Sequence, residues 1–217
     1  MRIKQITLGP IEENTYIVND ANGEAALIDC GCWNEREWMI VQDYVQTNHL
    51  RIIRLLNTHL HFDHSLGHRF VLRDYGLKAE AAAADFFLYE NMKEQLERLL
   101  GPHFADKMDL SFTHALGTPL EDGQEIHIGS GVLQVIATPG HTPGGVCFYD
   151  EEDAVLLSGD TLFQGSIGRT DLEGGDYATL VKSITKRLLN LPPQTIVHAG
   201  HGPSTTIEHE LNYNPYL

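Results

Sequence analysis

The stretch Thr58-His59-Leu60-His61-Phe62-Asp63-His64 decides the fold, and it directly follows the short apolar run at residues 52–56. Three imidazoles and one carboxylate stand within six residues, and these groups bind zinc-type metals at about 2.0–2.2 Å. So much polarity at the end of a buried strand is costly unless the groups share a partner. On a regular strand His64 would point away from the other three, so we place it in a turn or helix start. The spacing predicts a metal-binding loop between a strand and a helix.

Three further candidate ligands stand far from this loop, and each has a glycine directly before it. Each also follows an apolar run that is typical of a strand. A glycine permits a sharp turn or a close approach that a side chain would block. We therefore expect strand ends to deliver all three residues to one rim of the fold. The three pairs are Gly140-His141, Gly159-Asp160 and Gly200-His201.

The combined set of five imidazoles and two carboxylates predicts two divalent cations, because one cation cannot use seven protein ligands and still bind a substrate. Zinc is the expected metal, and iron or manganese also accepts these ligands. We assign to the first cation His59, His61 and His141. We assign to the second cation Asp63, His64 and His201, with Asp160 as the bridge. Two such cations lower the pKa of a shared water from 15.7 toward about 7, so a metal-bridging hydroxide is the expected nucleophile.

The rest of the chain predicts strands in two series, each followed by helix. The first series covers residues 3–8, 15–18, 25–29 and 52–56, with a helix capped by Asn34 and its capping-box partner Glu37. Helical periodicity returns at residues 68–75 and 85–100. The second series begins with strands from residue 125 to 157. A long helix capped by Asp176 and a final strand at 195–198 follow, and then a short tail. This order predicts two packed sheets with helices outside.

Composition and charge exclude several classes. The formal net charge is −15, which repels polyanions, so nucleic acid is a poor candidate for the substrate. No run approaches the roughly 18 apolar residues of a membrane span, and the start shows no signal peptide, so we expect a soluble cytoplasmic protein. Three cysteines (Cys30, Cys32 and Cys147) are interpreted as reduced thiols. No linker divides the chain, so we expect one domain over residues 1–217.

These motifs together resemble the metallo-β-lactamase superfamily, and specifically its small glyoxalase II-like hydrolases. Besides the residue 58–64 motif, the resemblance rests on TPGHTPG at 138–144, SGDTLF at 158–163, GSIGRTD at 165–171 and HAGHG at 198–202. It implies an α+β fold, a four-layer αββα sandwich with the metal site at one edge of the two sheets. It also implies that Asp29 is a structural carboxylate that orders the metal loop, and that Asp63 orients the nucleophile.

The activity that the resemblance implies is hydrolysis of a thioester such as S-lactoylglutathione or a related acyl-thiol. Glyoxalase II proper has an additional C-terminal helical domain that binds glutathione, and we expect no such domain here. Substrate binding is assigned to Arg169 and, on a weaker basis, to Ser166. Arg169 could bind a substrate carboxylate with two hydrogen bonds or pair with Asp171 instead. The sequence does not predict the oligomeric state.

The main rival is a persulfide dioxygenase of the same superfamily, which the Gly-Arg-Thr-Asp sequence at 168–171 also resembles. That enzyme would use a single iron held by His59, His141 and Asp160, with oxygen as a substrate. A β-lactamase is less favoured because an export signal is missing. A non-catalytic metal-binding protein is disfavoured because every ligand is retained.

Overall fold

The computed structural model describes all 217 residues and contains two main β-sheets. The first sheet consists of β1 (Arg2–Leu8), β2 (Glu13–Asn19), β3 (Glu24–Ile28), β4 (Arg51–Leu56) and β5 (Ala79–Glu80), in that spatial order. Strands β1 to β3 pair antiparallel, whereas β3, β4 and β5 run parallel. A parallel pair needs a crossover, and helix α1 (Glu35–Thr47) provides the one between β3 and β4.

The second sheet is formed by the later part of the chain. Its strands are β6 (Glu125–Ile128), β7 (Gly131–Ala137), β8 (Val146–Asp150) and β9 (Val155–Gly159), followed after a small hairpin by β12 (Ile196–Ala199) and β13 (Thr205–Thr206). The hairpin pairs β10 (Leu162–Phe163) with β11 (Ser166–Ile167). The spatial order is β13-β12-β9-β8-β7-β6, and only β9 and β12 run parallel.

Helices cover the outer faces of both sheets. Those after α1 are α2 (His68–Tyr75), α3 (Phe86–Glu90), α4 (Met92–Leu100), α5 (Pro102–Ala105), α6 (Tyr177–Ser183) and α7 (Ile207–Tyr213). The predicted cap of α1 is present, since Asn34 Oδ1 accepts from the backbone N–H of Arg36 and Glu37. The capping box predicted that Glu37 accepts from the N–H of Asn34. It accepts instead from the N–H of the preceding residue, Trp33, at 2.7 Å. No helix is long and apolar enough to cross a membrane.

Three hydrophobic clusters define the four layers. The first contains 25 buried residues and joins the outer face of the first sheet to α1 through α5. The second contains 13 residues and lies between the two sheets, where Tyr16 and Ile28 meet Phe148 and Leu157. The third contains 11 residues and joins the second sheet to α6 and α7. The predicted αββα sandwich is therefore confirmed.

Three local predictions differ from the structure. The helix predicted over 85–100 is broken at Asn91, whose φ of −95° and ψ of 23° separate α3 from α4. The predicted short tail contains β13 and α7, which the sequence analysis missed. The long helix that begins after Asp176 continues from α6 into a π-helical turn at Ile184–Leu188.

The three cysteines are free and buried, with 3.9 Å between the Cys30 and Cys32 sulfurs.

The chain arrives at one edge of the sandwich from both sheets. Strands β3 and β4 of the first sheet end there, and they lead into Asp29 and into the loop at 57–64. Strands β7, β9 and β12 of the second sheet lead into His141, Asp160 and His201. Because all five strands deliver their C-terminal ends to this edge, the predicted ligands meet there.

Candidate metal centre

The seven predicted ligands converge in two groups of three with a carboxylate between them. The ligand atoms of His59, His61 and His141 lie within 4.8 Å of one another. Those of Asp63, His64 and His201 form the second group, within the same distance. The two groups are those assigned from the sequence. We call them the first and the second ligand group.

In the first ligand group, His61 Nδ1 lies 2.9 Å from His141 Nε2. Two nitrogens bound tetrahedrally at about 2.0–2.1 Å from one zinc ion lie about 3.3 Å apart. The rings of His61 and His141 are also nearly perpendicular, at 84°. The two ring nitrogens are therefore close enough to be ligands of one metal ion.

Hydrogen bonds on the far side of two imidazoles determine their tautomers. His141 Nδ1 donates to the carbonyl of Arg169 at 2.7 Å, which leaves the Nε2 lone pair toward the centre. Thr58 Oγ1 donates to Asp29 Oδ2 at 2.7 Å, so this hydroxyl accepts from His59 Nδ1 at 3.1 Å. Such outer contacts orient metal-binding histidines and increase their basicity.

Asp29 has the structural role that the resemblance implied. Its carboxylate is buried and accepts from Thr58 N–H at 2.8 Å and from His64 Nδ1 at 3.0 Å. With the Thr58 hydroxyl bond, one carboxylate thereby orients His59 of the first group and His64 of the second. Asp29 adopts φ 56°, a left-handed conformation that is uncommon outside glycine and places strain at this position.

The second ligand group depends more on main-chain carbonyls. His201 Nδ1 lies 3.1 Å from the carbonyl oxygens of both Ile11 and Glu12, so it donates to them. Its Nε2 lies 3.3 Å from Asp63 Oδ2. Asn14 holds the His201 loop, because its amide donates to the carbonyls of Ala199 at 3.0 Å and Gly202 at 2.9 Å.

Asp160 lies between the two groups. Its Oδ2 is 3.6 Å from His141 Nε2 and 3.8 Å from His201 Nε2, while Oδ1 is 3.4 Å from His64 Nε2. Gly200 packs directly against it, since a Cβ at this position would lie 2.3 Å from Asp160 Oδ1. The glycine before His201 therefore lets the main chain approach Asp160 closely, as the sequence predicted.

Unsatisfied polar atoms test whether this cluster fits a metal. His59 Nε2, His64 Nε2 and Asp160 Oδ1 are buried, and none has a hydrogen-bond partner. Buried polar atoms almost always have a partner, so three orphans at one point call for a bound group. Nitrogen and carboxylate oxygen donors are the set that zinc, iron and manganese accept. The residues therefore fit a dimetal centre.

The electrostatics agree with ligand chemistry. Burial and neighbouring imidazoles hold the pKa of His59 well below its ordinary value and lower the pKa of His61 to about 3, so both rings are neutral. Burial is the largest influence on Asp160 and opposes its ionisation, but the charge of His64, its hydrogen bond and the neighbouring His141 and His59 together hold the pKa of Asp160 well below its ordinary value. Burial also opposes charge on His64, but Asp160 and Asp63 outweigh it and raise the pKa of His64. These carboxylates attract positive charge to the centre.

An open pocket of about 520 Å³ leads to the cluster. Both predicted substrate residues, Ser166 and Arg169, line it. The Arg169 guanidinium, however, pairs with both oxygens of Asp171 at 2.7 Å, so the ion pair that the sequence left open is present. The remaining wall is largely apolar and consists of Ile11, Phe62, Leu99, Leu100, Phe163, Ile167 and Leu172.

Two histidines that are close to predicted ligands in sequence, His68 and His198, are not among the ligand groups. His68 is buried, and its Nδ1 lies 3.0 Å from the Tyr89 hydroxyl. His198 Nδ1 bonds to Ser204 Oγ at 2.7 Å and contacts no predicted ligand. Three residues that hold the ligand loops were not predicted from the sequence, namely Asp85, Gln95 and Asn14. Each is an ordinary polar residue with no local motif, so only its contacts in the fold identify it.

Comparison with known proteins agrees with this geometry. The family model for the metallo-beta-lactamase superfamily matches residues 8–201. The chain is 35% identical to hydroxyacylglutathione hydrolase GloC of Haemophilus influenzae, covering 100% of this chain and 98% of the relative. The crystal structure of BLEG-1 B3 metallo-beta-lactamase superposes with a TM-score of 0.87 at 37% identity, covering 100% of this chain and 99% of that one. TTHA1623 in a di-iron-bound form superposes at 0.83 with 40% identity, covering 99% and 100%. The chain belongs to the metallo-β-lactamase superfamily, most of whose members are metal-dependent hydrolases.

Proposed function

We propose that this protein is a dimetal hydrolase that cleaves a thioester, S-lactoylglutathione or a related acyl-thiol. The observation that carries the proposal is the pair of ligand groups with Asp160 between them, at 3.6 Å from His141 and 3.8 Å from His201. Zinc is the metal we propose, and the di-iron form of a 40% identical protein makes iron the first alternative. The hydrolase named GloC, at 35% identity, supports the thioester.

Two bound cations supply Lewis acidity and lower the pKa of water toward about 7. The residues of the chain then have distinct roles. The first ligand group, with both rings of His59 and His61 neutral, holds one side of the centre. Asp63 lines the pocket, with Oδ2 3.3 Å from His201 Nε2. We assign Asp63 the task of orienting the attacking water and accepting its proton at Oδ2.

The pocket suits a substrate with an apolar body and a polar end. Its apolar wall faces the ligand cluster, and a volume of about 520 Å³ accommodates an acyl-thiol of moderate size. An apolar wall also excludes water from around the carbonyl, which strengthens electrostatic interactions at the reacting atoms.

A side groove beside His61 supports a peptide-like thiol. Arg98 lines this groove with two acidic side chains and one free amide, namely Glu94, Glu173 and Asn91; the amide of Gln95 also lies there but bonds to the ligand loop. A guanidinium beside carboxylates matches a thiol that carries both carboxylate and ammonium groups. The substrate is thus a small molecule. A net charge of −15 agrees with a protein that binds neither nucleic acid nor membrane, and we propose a cytoplasmic enzyme.

The second candidate is a mononuclear iron persulfide dioxygenase. It is favoured by the neighbourhood of His59, His141 and Asp160, which would hold one iron. Elemental analysis of the purified protein together with an S-lactoylglutathione hydrolysis assay tests both candidates. We expect about two metals per chain and hydrolysis. One iron per chain, no hydrolysis, and oxygen uptake with glutathione persulfide would replace the hydrolase with the dioxygenase.

A BLEG-1-like activity is tested in the same way. BLEG-1 is described as a B3 metallo-beta-lactamase, so the panel includes a chromogenic β-lactam beside the thioester. We expect the value of kcat/KM for the thioester to exceed that for the β-lactam. The opposite order would overturn the thioesterase proposal while leaving the dimetal centre in place.

A further inference from the structure

One buried carboxylate joins the two loops that carry the first ligand group. Asp85 ends the 3-10 turn Ala83–Asp85 and has no exposed surface. Its Oδ2 accepts from Leu60 N–H at 3.3 Å and from the Thr142 hydroxyl at 2.8 Å, and its Oδ1 accepts from Gly144 N–H at 2.6 Å. Leu60 stands between two ligand histidines of the chain, and Thr142 follows the third. A single side chain therefore binds both loops.

The contact leaves no room for adjustment. A Cβ on Gly144 would lie 2.7 Å from the Asp85 carboxyl carbon, so only glycine permits this approach. Burial raises the pKa of Asp85, and its hydrogen bonds with Thr142 and Gly144 oppose that rise. The carboxylate form accepts from all three donors, whereas an amide in its place would turn a donor toward one of them.

Gln95 provides independent support from another helix. Its Oε1 accepts from Phe62 N–H at 3.1 Å, and its Nε2 donates to the carbonyls of Leu60 at 3.4 Å and Leu88 at 2.6 Å. Leu60 is thus held at its N–H by Asp85 and at its carbonyl by Gln95. The break at Asn91 lets both side chains reach the same loop from α4 and from the turn before α3.

We propose that Asp85 is a positioning residue that sets the spacing of His59, His61 and His141 and thereby the affinity for the first cation. This inference rests on the dimetal centre of the proposed function. An imidazole ligand bound to one loop cannot keep its distance from a ligand on another loop unless the loops are joined. Asp85 joins them through the main chain beside the ligands. Replacing Asp85 is therefore expected to lower the affinity for the metal in addition to any loss of folding stability.

The test compares Asp85→Asn with Asp20→Asn. Asp20 is a matched control, because it is also buried and accepts from three backbone N–H groups, those of Asn22, Glu24 and Ser130, at 2.9–3.1 Å. Asp20 directly follows the last residue of β2. The ligands lie near the other end of this strand, which begins at Glu13, so Asp20 is far from them. Each metal-free variant is titrated with zinc against a chromophoric chelator. Cobalt absorption spectra of the loaded variants report the ligand geometry.

We expect Asp85→Asn to weaken the first zinc equivalent by about 10–100-fold and to shift the cobalt bands, as outer-contact changes do at other metal sites. Asp20→Asn is expected to lower the melting temperature and to leave both affinities within about threefold of the wild type. Equal zinc affinities in Asp85→Asn and the wild type would overturn the inference. So would an equal loss of affinity in both variants, which would make Asp85 a structural residue only.

A milder variant covers the case in which Asp85→Asn does not fold. Thr142→Val removes one of the three donors to Asp85 and keeps the shape of the side chain. We expect a severalfold weakening of the first zinc equivalent, and an unchanged affinity would overturn the inference. Failure of the proposed function gives a different result. A wild-type protein that binds two zinc ions and hydrolyses no thioester refutes the thioesterase, while the affinity comparison still decides the role of Asp85.

Discussion

The two ligand groups sit in differently built surroundings. The first group is buried, with His59 2% exposed, and side chains from distant segments hold its loops at Asp29, Asp85 and Gln95. The second group includes His201, whose side chain is 26% exposed and whose only hydrogen bonds outside the ligands are to the carbonyls of the turn at 11–12. We therefore expect the first cation to bind more tightly than the second. The comparison teaches that residues beyond the ligands, more than the ligands themselves, distinguish the two sites.

The variant with the largest expected effect disrupts both ligand groups. Asp160→Ala removes the carboxylate between them, so we expect turnover to fall by more than the roughly 10–100-fold typical of outer contacts, and metal content to fall below two per chain. Elemental analysis and the thioester assay measure this. Asp171→Ala, a carboxylate of a nearby loop that pairs with Arg169, is the control and should keep two metals. Retained turnover in Asp160→Ala would contradict the dimetal mechanism.

The second effect also reaches both groups, through their shared support. Asp29→Asn replaces the carboxylate that orients His59 through Thr58 and His64 directly. We expect both zinc affinities to fall by about 10–100-fold, and zinc titration measures them. Asp20→Asn is the control for the loss of a buried carboxylate. An effect on a single zinc equivalent would show that Asp29 does not join the two groups.

The third variant is expected to affect the second ligand group and not the first. Asn14→Ala removes the amide that holds the carbonyls on either side of His201. The Ala199 carbonyl keeps the Tyr16 hydroxyl as its donor at 2.6 Å, but the two ends of the His201 loop are no longer joined by one side chain. We therefore expect the second zinc equivalent to weaken by about tenfold while the first is unchanged. Titration of this variant beside Asp85→Asn gives opposite patterns. Weakening of the first equivalent in Asn14→Ala would show that Asn14 does not support the second ligand group alone.

The smallest effect concerns the pocket rather than the ligands. Arg98 lines the side groove, whereas Arg169 is engaged by Asp171. We expect Arg98→Ala to raise KM for a thioester of a charged peptide-like thiol by about twofold to fivefold, the range of an exposed ionic contact, with kcat unchanged. Arg169→Ala should change KM less. A thioester with an uncharged thiol is the matched substrate, and an equal rise in its KM would remove the charge argument for Arg98.

Much of the candidate site could be predicted from the sequence. The four ligands at 59–64 stand in one loop, and a glycine marks each of His141, Asp160 and His201, so local pattern alone groups them. The apolar runs, by their alternation and length, also predict two packed sheets with helices outside, and the family resemblance implied the αββα sandwich. Both kinds of information are local in the chain, which is why they can be read without coordinates.

What only the tertiary structure decided is which ordinary polar residues hold the ligands. Asp85 and Gln95 belong to the helix predicted over 85–100, and Asn14 is the second residue of β2, so none stands near a ligand in sequence. Their contacts depend on the break at Asn91 and on how the two sheets pack. The pairing of Arg169 with Asp171 was likewise one of two alternatives until the loop was folded. The physical reason is that ligand types are a property of residues, whereas the spacing between loops is a property of packing.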